Sequence, residues 1–541
     1  RFASKIPLNP IGCGFEVYII FFINLKQTKM KKLTFKNWLM PISVLLLAGC
    51  AEGYESPTDF DLGVRNVKVE TPSQDSILFK VSADGQTATI SWPTVAGADG
   101  HVVTFMNVDD PDNPIIIDDY ENKVVDGSKF TINVTEDSKY KMTMRTLGNK
   151  KFGNKDDDET KTYNFTTLVP SVMTIPSGSE ISSYIAEHQL DTLSTEKAID
   201  LVPGGEYTLE GLVDFSRHNI TFRGDKIRRP IVRLKGDGHF ETYSGLKIKY
   251  INFDLTESTA EGFVAMSKDN LPDSIKSENR GGGTKYMRGS STIKDIYMVE
   301  EPIYIGHCWF KNLPHAMLYH NNISCAFWYF TVSDCIVQMR NNTKSNIGFI
   351  NLFDSKGKGK SVKNITIEYS TIYNVVDNAS ACFIRYGNES NSNPEKVFGN
   401  ATAEMNSHTW RFIYTTFSKT YTGWRFCSNV RVASAFTLNV DHCVLNDVAQ
   451  LYRMNNGSRT YRFNFFWSPR EDDIKRNKSM SDSGGAPFAS IYAPQFQGDI
   501  TQELDFSLPN GGVNFTPQEY QIVANRGGDP RWLPAETTEN K

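Results

Sequence analysis

The chain has 541 residues, with 58 Lys and Arg against 62 Asp and Glu and a net charge of −4. That balance weighs against a nucleic-acid partner, which calls for a broad basic surface. The length leaves room for two or more domains with a large core. The eight cysteines form no CxxC pair or His/Cys cluster at zinc spacing, so a structural zinc site is not expected.

In chain order, residues 1–29 contain an apolar run, Val17 to Ile23, too short to span a bilayer. They are expected to be upstream sequence, outside the fold. Met30-Lys31-Lys32-Leu33 opens a second apolar run through Leu45-Leu46-Leu47, closed by Ala48-Gly49-Cys50. A basic start, a short apolar core and small residues at the end make residues 30–49 a secretory signal. The Leu47-Ala48-Gly49-Cys50 ending resembles the bacterial lipobox. That resemblance implies that Cys50 becomes a lipidated first residue, holding the mature protein to a membrane outside the cytoplasm. Residues 1–49 hold seven Lys/Arg and one acid, so the rest of the chain carries −10. Residues 50–62 read as a polar tether. Glu52 and Glu55 within it resemble the surface-export signal of Bacteroidota lipoproteins.

From residue 63 to 168 the pattern is β. Thr87-Ala88-Thr89-Ile90-Ser91-Trp92 alternates with period two, Pro93 and Gly97-Ala98-Asp99-Gly100 mark turns, and Val102 to Met106 and Tyr140 to Arg145 alternate again. The spacing suits a small β-sandwich. Ile90-Ser91-Trp92-Pro93, Gly97 to Val103 and Tyr140 to Met144 resemble a fibronectin type III domain, which implies a spacer without chemistry of its own.

Residues 171–541 carry an internal repeat, apolar-x-apolar-x-x-small/apolar. Its copies begin at Leu246, Ile303, Phe330, Ile365, Trp410, Leu438 and Tyr461, with a weaker one at Ile220. A strand with two inward positions, a bend and a third inward residue cannot bury its face alone; stacked in parallel about 4.8 Å apart, such strands bury a continuous column. The expected fold class is therefore all-β: a fibronectin-like sandwich followed by a right-handed parallel β-helix. Propellers, the competing repeat architecture, need tight antiparallel hairpins that are scarce here. Cys308, Cys335, Ser370, Thr415 and Cys443 are expected to stack as small residues at one corner. The long gap after the Leu246 copy, with Gly281-Gly282-Gly283, reads as a surface insertion. Ile181, Tyr184, Ile185 and Leu190 form an apolar stripe suited to a helix capping the first coil. This helix and the following Leu201-Val202-Pro203-Gly204-Gly205-Glu206-Tyr207 resemble the entry into pectin-lyase-like β-helices.

The closing Gly528-Asp529-Pro530-Arg531-Trp532, with the fibronectin-like front and the lipobox, resembles a group of Bacteroidota surface lipoproteins. Their β-helix is a domain of unknown function related to pectate lyases. The resemblance implies an outer-membrane, surface-exposed lipoprotein of a polysaccharide-utilisation system, with a glycan and other surface proteins as partners.

Three aromatic–arginine pairs recur after the repeat: Arg385-Tyr386, Trp424-Arg425 and Tyr452-Arg453. If their strands are in register, the three arginines form a ladder. Like charges stacked so closely need an anion between them, and a uronate chain would supply carboxylates that Arg grips in bidentate fashion. The three rings would offer sugar-stacking faces. These six residues are the candidate substrate-binding set for an acidic, pectin-like polysaccharide. The enzyme alternative is a polysaccharide lyase, which needs a base and neutralisation of the uronate, often by calcium on clustered acids; no other cofactor is called for. Asp334 and Glu368 are expected on neighbouring coils, whereas Asp441 and His442 read as turn residues. Close-set acids around a basic residue would favour the lyase, and a bare Arg/aromatic ladder the binder. A third alternative is an adhesin that projects loops 266–295 and 387–408.

Overall fold

The structure is a computed structural model. It describes residues 64–535 apart from 189, 191–194, 282–294, 342–346, 353–359, 377–381, 387–397, 399–406, 424, 429–435, 452–457 and 479–491. Cys50 and the signal segment lie outside the described residues.

The first domain packs a three-stranded sheet (Leu78–Val81, Thr87–Ser91, Lys129–Asn133) against a five-stranded antiparallel one centred on Ala98–Asn107 and Lys139–Gly148. Alternation places Ile90, Phe105, Phe130, Tyr140 and Met142 between the sheets. Trp92 donates its indole N–H to His101 Nε2 at 3.0 Å, and Nδ1 lies 2.9 Å from Thr146 Oγ1. Because Nε2 accepts, Nδ1 carries the proton and donates to the hydroxyl. Burial drives the His101 pKa down to about 4, so the ring is a neutral core group.

The rest is a parallel β-helix. Successive coils supply strands to three parallel sheets of eleven, nine and seven strands, termed first, second and third in chain order. In the first sheet Ile220, Leu246, Ile303, Phe330, Ile365, Trp410 and Leu438 pair in register, and so do Ile248, Ile305, Val332, Ile367, Phe412 and Val440. All thirteen are buried. The last repeat copy is the exception. Val440 pairs with Tyr461 and Leu438 with Arg459, two residues away from the reading that aligned Tyr461 with Leu438. Tyr461-Arg462-Phe463 alternates, so periodicity alone accepts either register.

The turn from the first sheet to the second decides it. One residue per coil sits in the left-handed region: Tyr250, His307, Asp334, Tyr369, Tyr414, His442 and Phe463, with φ between 47° and 60°. The next residue points inward and is small or compact. Cys308, Cys335, Thr415, Cys443 and Asn464 each donate back to a carbonyl of the preceding coil, from Ile248, Ile305, Ile367, Phe412 and Val440 respectively. This is the expected column of small corner residues. It satisfies buried carbonyls where the chain bends. Six described cysteines are free and buried, and burial lifts the thiols of Cys308 and Cys443 to about 12, so they are packing groups rather than nucleophiles.

Helices close both ends. Ile181–Glu187 buries Ile181 and packs Tyr184 and Ile185 on the first coils. Its N-cap carboxylate, Glu180, accepts from the amides of Ser182, Ser183 and Glu210. Burial alone would raise that carboxyl; the hydrogen bonds win and hold it at about 2. At the far end Glu471–Lys478 lays Ile474 on the core. The sandwich docks on the early coils through buried Lys249, which reaches Asp137 at 2.7 Å and Glu136 at 2.9 Å.

Candidate functional site on the third sheet

The third sheet is built from short strands: Leu212–Asp214, His239–Thr242, Gly262–Met266, Ala316–Tyr319, Ile350–Leu352, Cys382–Tyr386 and Arg425–Ser428. Val213, Phe240, Val264, Leu318, Ile350 and Ile384 belong to the core. Strand alternation therefore turns the next residue of each strand outward. In register these are Asp214, Glu241, Ala265, Tyr319, Asn351 and Arg385. At about 4.8 Å per coil, Glu241 and Arg385 stand roughly 19 Å apart along one face.

The lower coils carry titratable chemistry. Glu241 is 1% exposed, and its Oε1 accepts from Asn321 Nδ2 at 2.6 Å and lies 3.1 Å from His239 Nε2. Lys268 Nζ, on a half-exposed side chain, is 3.9 Å from the same oxygen. The carbonyl of Asp237 lies 2.5 Å from His239 Nδ1 and can only accept, so Nδ1 is protonated. Burial would lower the His239 pKa, but the hydrogen bonds to Glu241 and Asp237 and their charges outweigh it and raise it. Both ring nitrogens thus face acceptors, an arrangement that favours the charged imidazole, with the Lys268 amine 3.9 Å from the Glu241 oxygen. One coil earlier, Asp214 accepts from Ser267 Oγ at 2.7 Å and from Ser216 N and Oγ.

Arg385 is half-buried in the outward column, next to Asn351. Tyr386 follows it and pairs with Leu352. Arg385 and Arg425 do not stand in register with each other. Arg425 aligns with Cys382, an inner-face position three residues before Arg385, and is also bridged to Gln450. The equal spacing of Arg425 and Arg453 from their repeat starts fixes no register, because the turns between sheets differ in length from coil to coil. Trp424, Tyr452 and Arg453 lie outside the described residues, as does the side chain of Tyr386.

The acids singled out from sequence sit elsewhere. Asp334 and Glu368 are indeed on neighbouring coils, the Asp334 amide donating to the Glu368 carbonyl, but on the ridge between the first and second sheets. Asp334 contacts His307 Nδ1 at 2.6 Å and pairs with Arg531. Burial would raise its carboxyl, yet His307, Arg531 and Arg229 together hold it low. His442 occupies the turn at φ 51° and meets Asp441 at 2.7 Å. The C-terminal segment straps this side of the molecule. Gly528 N donates to His442 O, Asp529 accepts from Thr371 Oγ1 at 2.8 Å, Trp532 donates to the same hydroxyl, and Phe515 and Trp532 pack with Tyr373 and Ile336. That is the role of the closing Gly-Asp-Pro-Arg-Trp run.

His239, Glu241, Lys268 and Asn321 escaped the sequence reading. The one available signal was the alternation His239-Phe240-Glu241, which puts both polar groups on one face of a strand.

Residues 26–210 match the model of a family described as a domain of unknown function, and residues 205–375 match another, a domain of unknown function (DUF4957). A comparison with curated proteins finds no match. Among solved structures, the chain is similar to the PL6 family alginate lyase AlyGC at 13% identity and a TM-score of 0.34, over 60% of this chain and 40% of that one. It is also similar to the pectate lyase PelI from Erwinia chrysanthemi in complex with tetragalacturonic acid, at 8% identity and a TM-score of 0.12, over 71% of this chain and 88% of that one. The chain thus spans about 40% of the length of the alginate lyase. The parallel β-helix itself rests on the strand pairing described above.

Proposed function

We propose that this protein binds an acidic, pectin-like polysaccharide along the outer face of the third sheet. The observation that carries the reading is the outward column in which Tyr319, Asn351 and Arg385 stand in register on successive coils. A polymer lying along the stack meets a new side chain about every 4.8 Å. Arg385 offers a planar fork for a carboxylate and Tyr319 an aromatic surface, with Asn351, 4% exposed, between them. With Cys50 lipidated, the protein would hold such a chain at the outer surface of the outer membrane, within a glycan-utilisation system.

A second reading, cleavage by β-elimination, is favoured by the cluster at Glu241. A lyase must offset the uronate charge and remove the neighbouring proton. At the lower end of the same face His239 Nε2 and Lys268 Nζ lie 3.1 and 3.9 Å from one carboxyl oxygen of Glu241. Glu241 and Asp237 flank His239 at 3.1 and 3.8 Å, the close-set acids around a basic residue that favour the enzyme over a plain binder.

Both readings are tested by incubating the mature protein with polygalacturonate, with and without calcium. Ultraviolet absorbance of unsaturated ends and gel retardation are followed in one sample. Rising absorbance makes it a lyase, and retardation alone makes it a binder. Neither signal removes this class of polymer. Release of Cys50→Ala from the membrane fraction tests the anchor.

A further inference from the structure

We infer that a cavity beside the third sheet is a subsite for a neutral sugar branch, so that the polysaccharide recognised is a branched one; the inference rests on the binding reading above. The cavity has a volume of about 420 Å³, within the roughly 300–1,000 Å³ of small-molecule sites. Its walls include Arg217, Tyr243, Ser244, Arg280, Glu300 and Glu301. Arg217 lies three residues after Asp214, and Tyr243 and Ser244 directly follow the strand that carries Glu241. The opening is therefore in the turn between the third and first sheets, to one side of the stack. A linear chain along the outward column passes it by. Only a group leaving that chain sideways enters.

The lining chooses the class of group. Two guanidinium groups face two carboxylates, and Arg280 Nη1 is 3.2 Å from Glu300 Oε2. The charges balance, so a second uronate gains little and loses hydration. Hydroxyls suit the site better: carboxylates accept from them and guanidinium groups donate to them. Tyr243, packed against the core and held by its amide to the Ser216 carbonyl at 3.1 Å, gives one wall a fixed ring for the apolar face of a sugar.

The test is calorimetric titration of the mature protein with pectin carrying neutral side chains and with linear polygalacturonate. Two variants accompany it: Ser244→Trp, which fills the cavity, and Glu301→Ala, which removes an acceptor at an exposed position. The expected result is roughly tenfold tighter binding of the branched polymer, lost in both variants while affinity for the linear polymer stays. Equal affinity of the wild type for the two polymers overturns the inference and leaves the groove reading intact. A preference that survives both variants overturns it too. If neither polymer binds, the groove reading fails. Neutral side-chain oligosaccharides are then titrated alone: binding abolished by Ser244→Trp upholds the subsite, and no binding ends it.

Discussion

The ridge between the first and second sheets and the outer face of the third sheet share one spacing and one geometry, yet they are furnished differently. On the ridge the column is nearly all rings, and each ring spends its face on the next. Tyr369 stacks on Tyr414 at 5.7 Å, Tyr414 on His442 at 4.5 Å, and His442 meets Phe463 at 4.8 Å. The strap then ties down this side with the chain's own Asp529, Arg531 and Trp532. On the third sheet the outward column changes chemistry at every coil, from carboxylate to methyl to phenol to amide to guanidinium. A column of like groups stabilises the stack; in the column of unlike groups the lower members, Glu241 and Ala265, are buried, and Tyr319 and Arg385 are the ones left within reach of a ligand.

Substitutions should separate the two sides. The largest effect is expected at Glu241. Glu241→Ala strips the buried His239 imidazolium of its carboxylate and should cost about 3–5 kcal/mol in chemical denaturation; a change under about 1 kcal/mol would show that the pair is not buried as described. Arg531→Ala, which unties the strap from Asp334 and Asp529, should lower stability by about 2 kcal/mol and leave polysaccharide affinity untouched. A loss of affinity there would move the site to the wrong side. Arg385→Ala should do the reverse, weakening polygalacturonate binding roughly tenfold with an unchanged denaturation midpoint.

A pH series sharpens the contrast further. The folded-state pKa of His239 is raised, so its pairing with Glu241 stabilises fully below about pH 6.5, the ordinary histidine value, and that contribution fades as pH rises through the raised pKa. The stability difference between wild type and His239→Gln should therefore shrink on going alkaline; a flat difference contradicts the imidazolium assignment. The smallest effect is expected at Phe463, 51% exposed at the end of the ring column. Phe463→Ala should change stability by about 1 kcal/mol or less and affinity not at all.

The fold was legible because one strand of each coil has a fixed internal rhythm. Leu246 and Ile248, Ile303 and Ile305, and Phe330 and Val332 repeat a two-residue step before an invariably short turn, so counting from one copy to the next gives register. The same counting failed at Tyr461, where alternation fits two registers and only the bend at Phe463 chooses. It failed more seriously on the third sheet, which each coil reaches after two turns of variable length. Arg385 and Arg425 were expected side by side, but Arg425 pairs with Cys382, three residues before Arg385. The Glu241 cluster was hidden for another reason. Only His239 shares its strand; Lys268 and Asn321 come from later segments, Asn321 lying 80 residues away, and the strand itself is four residues long and buried throughout. Nothing in a linear pattern joins those groups before the chain is wound.

The most direct measurement is polygalacturonate affinity for Arg385→Ala and Arg531→Ala side by side with the wild type, by calorimetry at one salt concentration. The account predicts a roughly tenfold loss for Arg385→Ala and wild-type affinity for Arg531→Ala. Equal losses in both, or a loss confined to Arg531→Ala, would contradict the claim that the third sheet is the polysaccharide-binding face.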